Sequence, residues 1–264
     1  MKLETTTERI QEIYDYREMI FTQVHRNLRG RYKGSALGFL WTFLNPLFQL
    51  IVYTIVFSVI MKTSTEQYSL FLFVTLIPWI FFGTCMSEGS GCLRDTEDMI
   101  KKIYFPREVI PISYVVSQFI NMLLCFIIVL IVLLVAGRLT NPAVFVYLPL
   151  IMMIELSLAI GLVFIFSAWC VYLRDVKYMM TIITMAWQFM TPVMYSVDII
   201  PGKLIKLFYL NPMTSVIVAY RDILYYQQTP EIDTLAIASF MGIGFLVLGW
   251  NLFNRLKRRF AEYL

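Results

Sequence analysis

Long stretches of this chain carry no charge, and their spacing constrains the fold more than any motif does. Runs free of Asp, Glu, Lys and Arg cover Gly34–Met61, Gln67–Ser87, Val109–Gly137, Tyr178–Val197 and Thr234–Asn254. A further run, Leu139–Leu173, is broken only by Glu155. A helix needs about 20 apolar residues to cross roughly 30 Å of hydrocarbon, so the runs predict six transmembrane helices. Barrel strands are about 10 residues long and alternate apolar with polar positions; these runs are longer and do not alternate. Composition agrees. Of 264 residues, 59% are hydrophobic and 15% charged, against about 25% charged in an ordinary soluble domain. A soluble enzyme, a disordered chain and a nucleic-acid-binding domain do not fit.

Basic residues between the runs set the expected orientation, because cytoplasmic segments are enriched in Lys and Arg. With the N-terminus inside, the cytoplasmic segments hold 17 of the 22 Lys and Arg, and the outer segments hold Lys62, Arg138, Lys203, Lys206 and Arg221. The reading is one domain over 1–264. It has an interfacial segment at 1–33, a six-span bundle at 34–254 and a tail at 255–264, with both termini cytoplasmic. The charge-dense first 33 residues lack the compact apolar core of a cleavable signal, so the first span is expected to direct insertion. Cys85, Cys92, Cys125 and Cys170 fall in or beside apolar runs without a Cys-x-x-Cys pair, which supports neither a disulfide framework nor a zinc site.

Three segments are not simple spans. Ile10, Ile13, Tyr14, Ile20, Phe21, Val24 and Leu28 recur at helical spacing with polar residues between them. That pattern suits an amphipathic helix in the cytoplasmic interface, or one packed on another protein. Leu93–Arg107 places Asp95, Glu97 and Asp98 ahead of Lys101, Lys102 and Arg107 and meets Pro106 at its end. This order matches the helix dipole and predicts a short cytoplasmic helix, although charge-rich segments are usually solvated loops. Ser196–Asp233 is apolar yet broken by Pro201-Gly202 and Asn211-Pro212. Its pieces are too short to cross and are expected as re-entrant half-helices, or as a cap on the outer helix ends.

Motifs for catalysis and nucleotide binding do not emerge. His25 is the single histidine, too few for a metal cluster. The only Gly-Lys, Gly202-Lys203, lies outside any phosphate-binding loop pattern, so an ATP motor would be another subunit. Gly30, Gly34 and Gly38 repeat as GxxxG, but Arg31 and Lys33 between them favour a bend or close backbone approach over a buried seam. Ionisable groups inside a membrane carry a functional hypothesis by default. Glu155 is therefore either a proton-coupling carboxylate or, as the absence of an intramembrane Lys, Arg or His partner favours, a structural hydrogen-bond acceptor. Glu88 is expected at the interface. Deep aromatic residues, among them Tyr53, Phe81, Phe82 and Trp187, either pack the core or offer stacking faces to sugar rings.

The run Arg31-Tyr32-Lys33-Gly34-Ser35-Ala36-Leu37-Gly38-Phe39-Leu40-Trp41, continuing to Leu44-Asn45-Pro46, resembles the membrane subunits of ABC-2-type exporters. The polysaccharide branch (O-antigen, capsule and teichoic acid permeases) is the most similar. Tyr172-Leu173-Arg174-Asp175-Val176, Thr191-Pro192-Val193-Met194-Tyr195 with Ile200-Pro201, and Leu210-Asn211-Pro212-Met213-Thr214 followed by Tyr220-Arg221-Asp222 agree in order along nearly the whole chain.

The resemblance implies a homodimer paired with two ATP-binding subunits that hold ATP and Mg²⁺, while this chain binds no cofactor, metal or nucleic acid and is not itself an enzyme. Its place is the bacterial inner membrane, and its cargo a polyprenyl-diphosphate-linked glycan moved outward. Asp95, Glu97, Asp98, Lys101, Lys102 and Arg107 would meet the ATPase. Arg29, Arg31 and Lys33 would receive the lipid diphosphate, or serve only as positive-inside anchors. Trp41, Tyr53, Phe81, Phe82 and Trp187 would line a glycan path, and Pro201, Asn211, Pro212 and Arg221 would belong to an outer gate. Two other readings are an ABC-2 exporter of a small lipid or drug and an ion-coupled transporter built around Glu155.

Overall fold

The computed structural model describes residues 6–30, 34–63 and 65–263, and among them every regular element is a helix. Two helices, α1 (Thr6–Asp15) and α2 (Arg17–Gly30), meet at Tyr16 where one continuous amphipathic helix was expected. Their apolar side chains divide between two roles. Val24 is buried, and Tyr16, Met19 and Ile20 pack on the core. Ile10, Tyr14 and Phe21 are exposed.

A single 3-10 turn (Gly38–Leu40) leads into α3 (Trp41–Thr54), which continues through the wider-turned Ile55–Ile60. Pro46 lies inside α3. Proline has no N–H for the carbonyl four residues back, which here is that of Thr42, and Cys125 Sγ donates to that oxygen instead at 3.4 Å. The α3 span is only 6% buried, whereas α4 (Tyr68–Ser87) and its extension are 83% buried. A helix apolar on every side belongs in an interior, and α4 is the axis of the bundle.

After α4 the chain passes through short turns to α5 (Glu97–Lys102) and then enters α6 (Val109–Val135) and α7 (Tyr147–Tyr172). The fifth uncharged run behaves differently from the sequence expectation. Its helix, α8 (Asp175–Phe189), stops before Thr191-Pro192, because the residue before a proline is pushed out of the helical region. Fifteen residues rise about 22 Å, short of the roughly 30 Å of a bilayer core. Among the described residues, five helices, not six, are therefore long and apolar enough to cross.

Two short helices follow, α9 (Gly202–Phe208) and α10 (Pro212–Arg221). They differ in setting: α10 is buried along nearly all its length, while α9 has no buried residue. The chain ends with α11 (Ile232–Leu256) and α12 (Phe260–Tyr263). The α7 and α11 helices cross at backbone distance. A Cβ placed on Gly249 would lie 2.1 Å from the Gly161 carbonyl oxygen, and one on Gly161 would lie 2.4 Å from the Phe245 carbonyl. Small residues are what permit such an approach where lipid supplies no hydrophobic drive between helices.

Candidate functional site

Three of the sequence motifs converge at the end of the bundle that bears α10. Past Phe189 the chain turns through Met190–Tyr195, and each carbonyl there has a donor. Thr191 accepts from the Val193 N–H at 2.7 Å, and Met190 accepts from Asn211 Nδ2 at 3.3 Å. Arg221 supplies three oxygens: Pro192 at 2.6 Å, Val193 at 3.2 Å and Tyr195 at 3.2 Å. Thr75 Oγ1 also donates to Val193, at 2.9 Å, and the Tyr68 hydroxyl donates to Met194 at 2.9 Å. An irregular turn inside a helical bundle needs this complete pairing, because orphaned backbone groups are costly away from water.

Asn211 ties the same turn to α10 and α8. Its Oδ1 accepts from the Met213 N–H at 3.0 Å, capping α10, and from Trp187 Nε1 at 2.7 Å. Its Nδ2 also donates to Thr191 Oγ1 at 2.8 Å. Only Asn supplies two acceptor and two donor functions from so short a side chain. The Arg221 guanidinium is 3% exposed and stands 4.0 Å from the centroid of the Phe71 ring. Burial pushes the adjoining Asp222 carboxyl up to about 6, with Glu231 acting in the same direction and Arg221 opposing. Of the expected gate residues, Asn211, Pro212 and Arg221 thus form one knot, and Pro201 stands apart, exposed at the start of α9.

The expected path aromatics divide. Phe82 is fully buried and meets Trp187 edge-on at 5.2 Å. Tyr53 OH accepts from Gln188 Nε2 at 3.4 Å, which places it on the neighbouring residue. Trp41 and Phe81 lie elsewhere, on a common cavity between α3, α4 and α6.

At the opposite end, the connector around α5 is stitched to three helices. Arg94 donates to the carbonyls of Cys170 at 3.1 Å and Val171 at 2.5 Å, satisfying the end of α7. Both Asp95 oxygens accept from Lys177 Nζ at 2.9 Å, on the first turn of α8. Arg107 donates to the Lys257 carbonyl, and Lys257 pairs with Glu108, which is 1% exposed. The Tyr172 hydroxyl reaches the Leu256 carbonyl at 2.7 Å. Within α5, Lys101 bonded to Glu97 at 2.5 Å holds that carboxyl below the usual range. Asp98 and Lys102 are exposed. Immediately after α5, Ile103 is 58% and Tyr104 84% exposed. The sequence reading passed over these two apolar residues, although they interrupt an otherwise charged segment. Of the basic residues expected at the lipid entry, Arg29 is exposed at the end of α2, and Arg31 and Lys33 lie outside the described residues.

Glu155 is fully buried on α7, and the Tyr220 hydroxyl of α10 donates to its Oε2 at 2.7 Å. Glu155 thus serves as an acceptor for Tyr220 through Oε2, while its buried Oε1 has no hydrogen-bond partner. Glu155→Gln keeps an acceptor oxygen, so transport is expected to stay within about twofold of wild type. Glu155→Leu strands the Tyr220 hydroxyl and is expected to cost about 1–3 kcal/mol. Thermal stability of the detergent-purified chain beside a transport assay checks both, and loss of transport in a normally stable Glu155→Gln chain would instead support ion coupling.

Comparison with known proteins covers the same architecture. The ABC-2 type transporter family matches residues 18–225. The chain is 32% identical to the O-antigen export system permease protein RfbA of Myxococcus xanthus over 96% of its own length and 98% of the relative's. An RfbA protein of Klebsiella pneumoniae is 33% identical over 94% of this chain and 95% of the relative. The polysialic acid transport protein KpsM of Escherichia coli is 23% identical over 75% and 77%. With its helical bundle, its knotted turn and this end-to-end similarity, the chain belongs to the ABC-2 type transporter family of membrane proteins.

Proposed function

We propose that this chain is the permease subunit of an ATP-driven exporter that moves a polyprenyl-diphosphate-linked polysaccharide outward across a bacterial plasma membrane. The observation that carries the reading is the end-to-end similarity to O-antigen export permeases. Two copies pair with two ATP-binding subunits, which hold ATP and Mg²⁺; this chain has no phosphate-binding loop of its own. Both termini are cytoplasmic, and α8 with the turn beyond it completes a sixth crossing. The pieces α9 and α10 re-enter from the outer side, and the exposed Ile10, Tyr14 and Phe21 of the N-terminal helices lie in the cytoplasmic interface. The lipid diphosphate meets the basic segment Arg29, Arg31 and Lys33, where Arg suits paired phosphate oxygens.

The connector supports this division of labour. Ile103 and Tyr104 offer an apolar knob beside the charges of α5, the composition of a docking centre with a polar rim. A push there reaches α8 directly through Asp95–Lys177. The sugars then pass along the exposed faces of α3 and α8, which the bundle leaves uncovered.

Deleting the chain and restoring it on a plasmid, with surface glycan as the readout, tests the assignment. In the same system Tyr104→Ala is expected to weaken co-purification with the ATP-binding subunit about tenfold or more, the scale of a central aromatic contact. Its level in the membrane should not change. Surface glycan that is indifferent to deletion of the chain would refute the export reading.

A further inference from the structure

Of the basic residues assigned to the outer segments, two stand together with no carboxylate to meet them. Arg138 pairs with Glu66, and Arg221 is buried in the knot. Lys203 and Lys206 share one short helix, α9, which carries no acidic residue, and among the described residues neither is ion-paired. The same helix has no buried residue. Leu204 is 46% exposed, Leu207 58% and, just past the helix end, Leu210 68%, while Ile205 and Phe208 are half-buried. Successive helical residues turn by about 100°, so the exposed half of α9 divides into a lysine edge and a leucine edge. This is the division of a helix lying in a lipid interface, with basic residues toward phosphate and leucines toward acyl chains.

Depth agrees with that setting. Lys177 fixes the start of α8 to Asp95 of the connector. From there α8 rises about 22 Å, and the turn Met190–Tyr195 follows it toward the far side of a core roughly 30 Å thick. The other end of α9 is placed independently, by a side-chain hydrogen bond between Tyr209 and Thr234 in the first turn of α11. The 25 residues of α11 span about 37 Å, more than a crossing needs, so its first turn stands at the edge of the core. Both ends of α9 are thus held at headgroup depth.

We propose that α9 docks on the anionic phospholipid headgroups of the outer leaflet. Lys203 and Lys206 meet lipid phosphate, and Leu204, Leu207 and Leu210 lie among the upper acyl carbons. The helix then re-enters no deeper than the headgroup layer. Its docking anchors Asn211, just past its end, and with it the knot, against the membrane surface. A second copy of this chain is the poorer occupant, because an isologous contact would set these lysines against their own counterparts. The proposal uses the orientation given above and is independent of the cargo.

Fluorescence in reconstituted vesicles tests this. The native cysteines are all buried, so a nitrobenzoxadiazole label goes to an introduced one. On Leu207→Cys in phosphatidylglycerol-rich vesicles, the label is expected to emit to the blue and to be quenched by spin labels on the upper acyl chain. On Gln228→Cys, an exposed position of the same outer segment, it should report water. Lys203→Gln and Lys206→Gln should each lower the docked-to-free ratio about fivefold, the scale of one basic residue near an anionic surface. Vesicles of net-neutral phosphatidylcholine should lower it for the wild type in the same direction. Melting in detergent should not change, since neither lysine is ion-paired. In intact cells a membrane-impermeant maleimide should reach Gln228→Cys. A Leu207→Cys label that stays in water would overturn the proposal, as would docking indifferent to lipid charge and to both lysine substitutions. A disulfide joining two copies through Leu207→Cys would assign the face to a second copy instead. These three outcomes leave the export reading standing. Gln228→Cys reached only after lysis would overturn the outer placement and the orientation with it.

Discussion

Arg221→Ala is expected to lower the stability of the chain by about 2–5 kcal/mol, since it leaves two carbonyls of the turn without their donor at about 1–3 kcal/mol each. Membrane levels should fall severalfold with it. Three carbonyls of the turn, Pro192, Val193 and Tyr195, depend on this one guanidinium. Thr75 still reaches Val193, but Pro192 and Tyr195 lose the donor that Arg221 gives them. The stacking on Phe71 goes as well. Arg221→Lys should be intermediate, because an ammonium lacks the planar fork that reaches carbonyls on several sides. The measurement is the thermal transition of the detergent-purified protein, with membrane-inserted yield beside it. A gating side chain that only touches passing cargo would behave differently, with normal stability and lost export. Wild-type stability in Arg221→Ala would therefore remove the strut assignment.

The knot also shows where sequence reading reaches its limit. Charge spacing located each apolar helix, because a charge in hydrocarbon is costly whatever its neighbours. It did not show that α8 ends at Phe189. Thr191-Pro192 carries that signal, but an uncharged run reads the same whether it is helix or turn. The family motifs were legible as strings, but nothing in them says that Thr191–Tyr195, Leu210–Thr214 and Tyr220–Asp222 share one set of hydrogen bonds. That joint is made through Arg221 and Asn211 across up to 29 residues of chain. Tyr68 and Thr75, on α4, carry no sequence signal for it. Likewise Asp95 and Lys177 pair over 82 positions, a contact that neither local sequence announces.

Glycine spacing misleads in an instructive way. The overt repeat Gly30, Gly34 and Gly38 has nothing within 4 Å of any added Cβ; Gly34 and Gly38 instead hold φ of +87° and +46°. They serve the bend into α3. The glycines whose added Cβ would meet backbone, Gly161 on α7 and Gly242 and Gly249 on α11, form no GxxxG repeat that announces them.

Gly249 is accordingly the second position of large expected effect. Gly249→Val should separate α7 from α11, since its Cβ alone would stand 2.1 Å from the Gly161 oxygen and 3.0 Å from the Gly161 Cα. Both obstacles are main chain, which no rotamer change moves. Overpacking a tight core costs about 1–3 kcal/mol and at times more, and a backbone obstacle belongs at the upper end. Gly249→Ala should already show most of the loss. Gly244, on the same helix, has open space around it. Gly244→Ala should be neutral or slightly stabilising, because alanine is favoured over glycine in a helix interior by about 1 kcal/mol. The comparison isolates the crossing from helix propensity. Thermal transitions of Gly244→Ala, Gly249→Ala and Gly249→Val, read with surface glycan, would test it, and equal stability of the two alanine variants would deny the contact. Since α11 carries Lys257 toward Glu108 and Leu256 toward Tyr172 at its end, parting the two helices also loosens the connector to which α5 is tied. Export is therefore expected to fail in Gly249→Val even in the fraction of protein that still reaches the membrane.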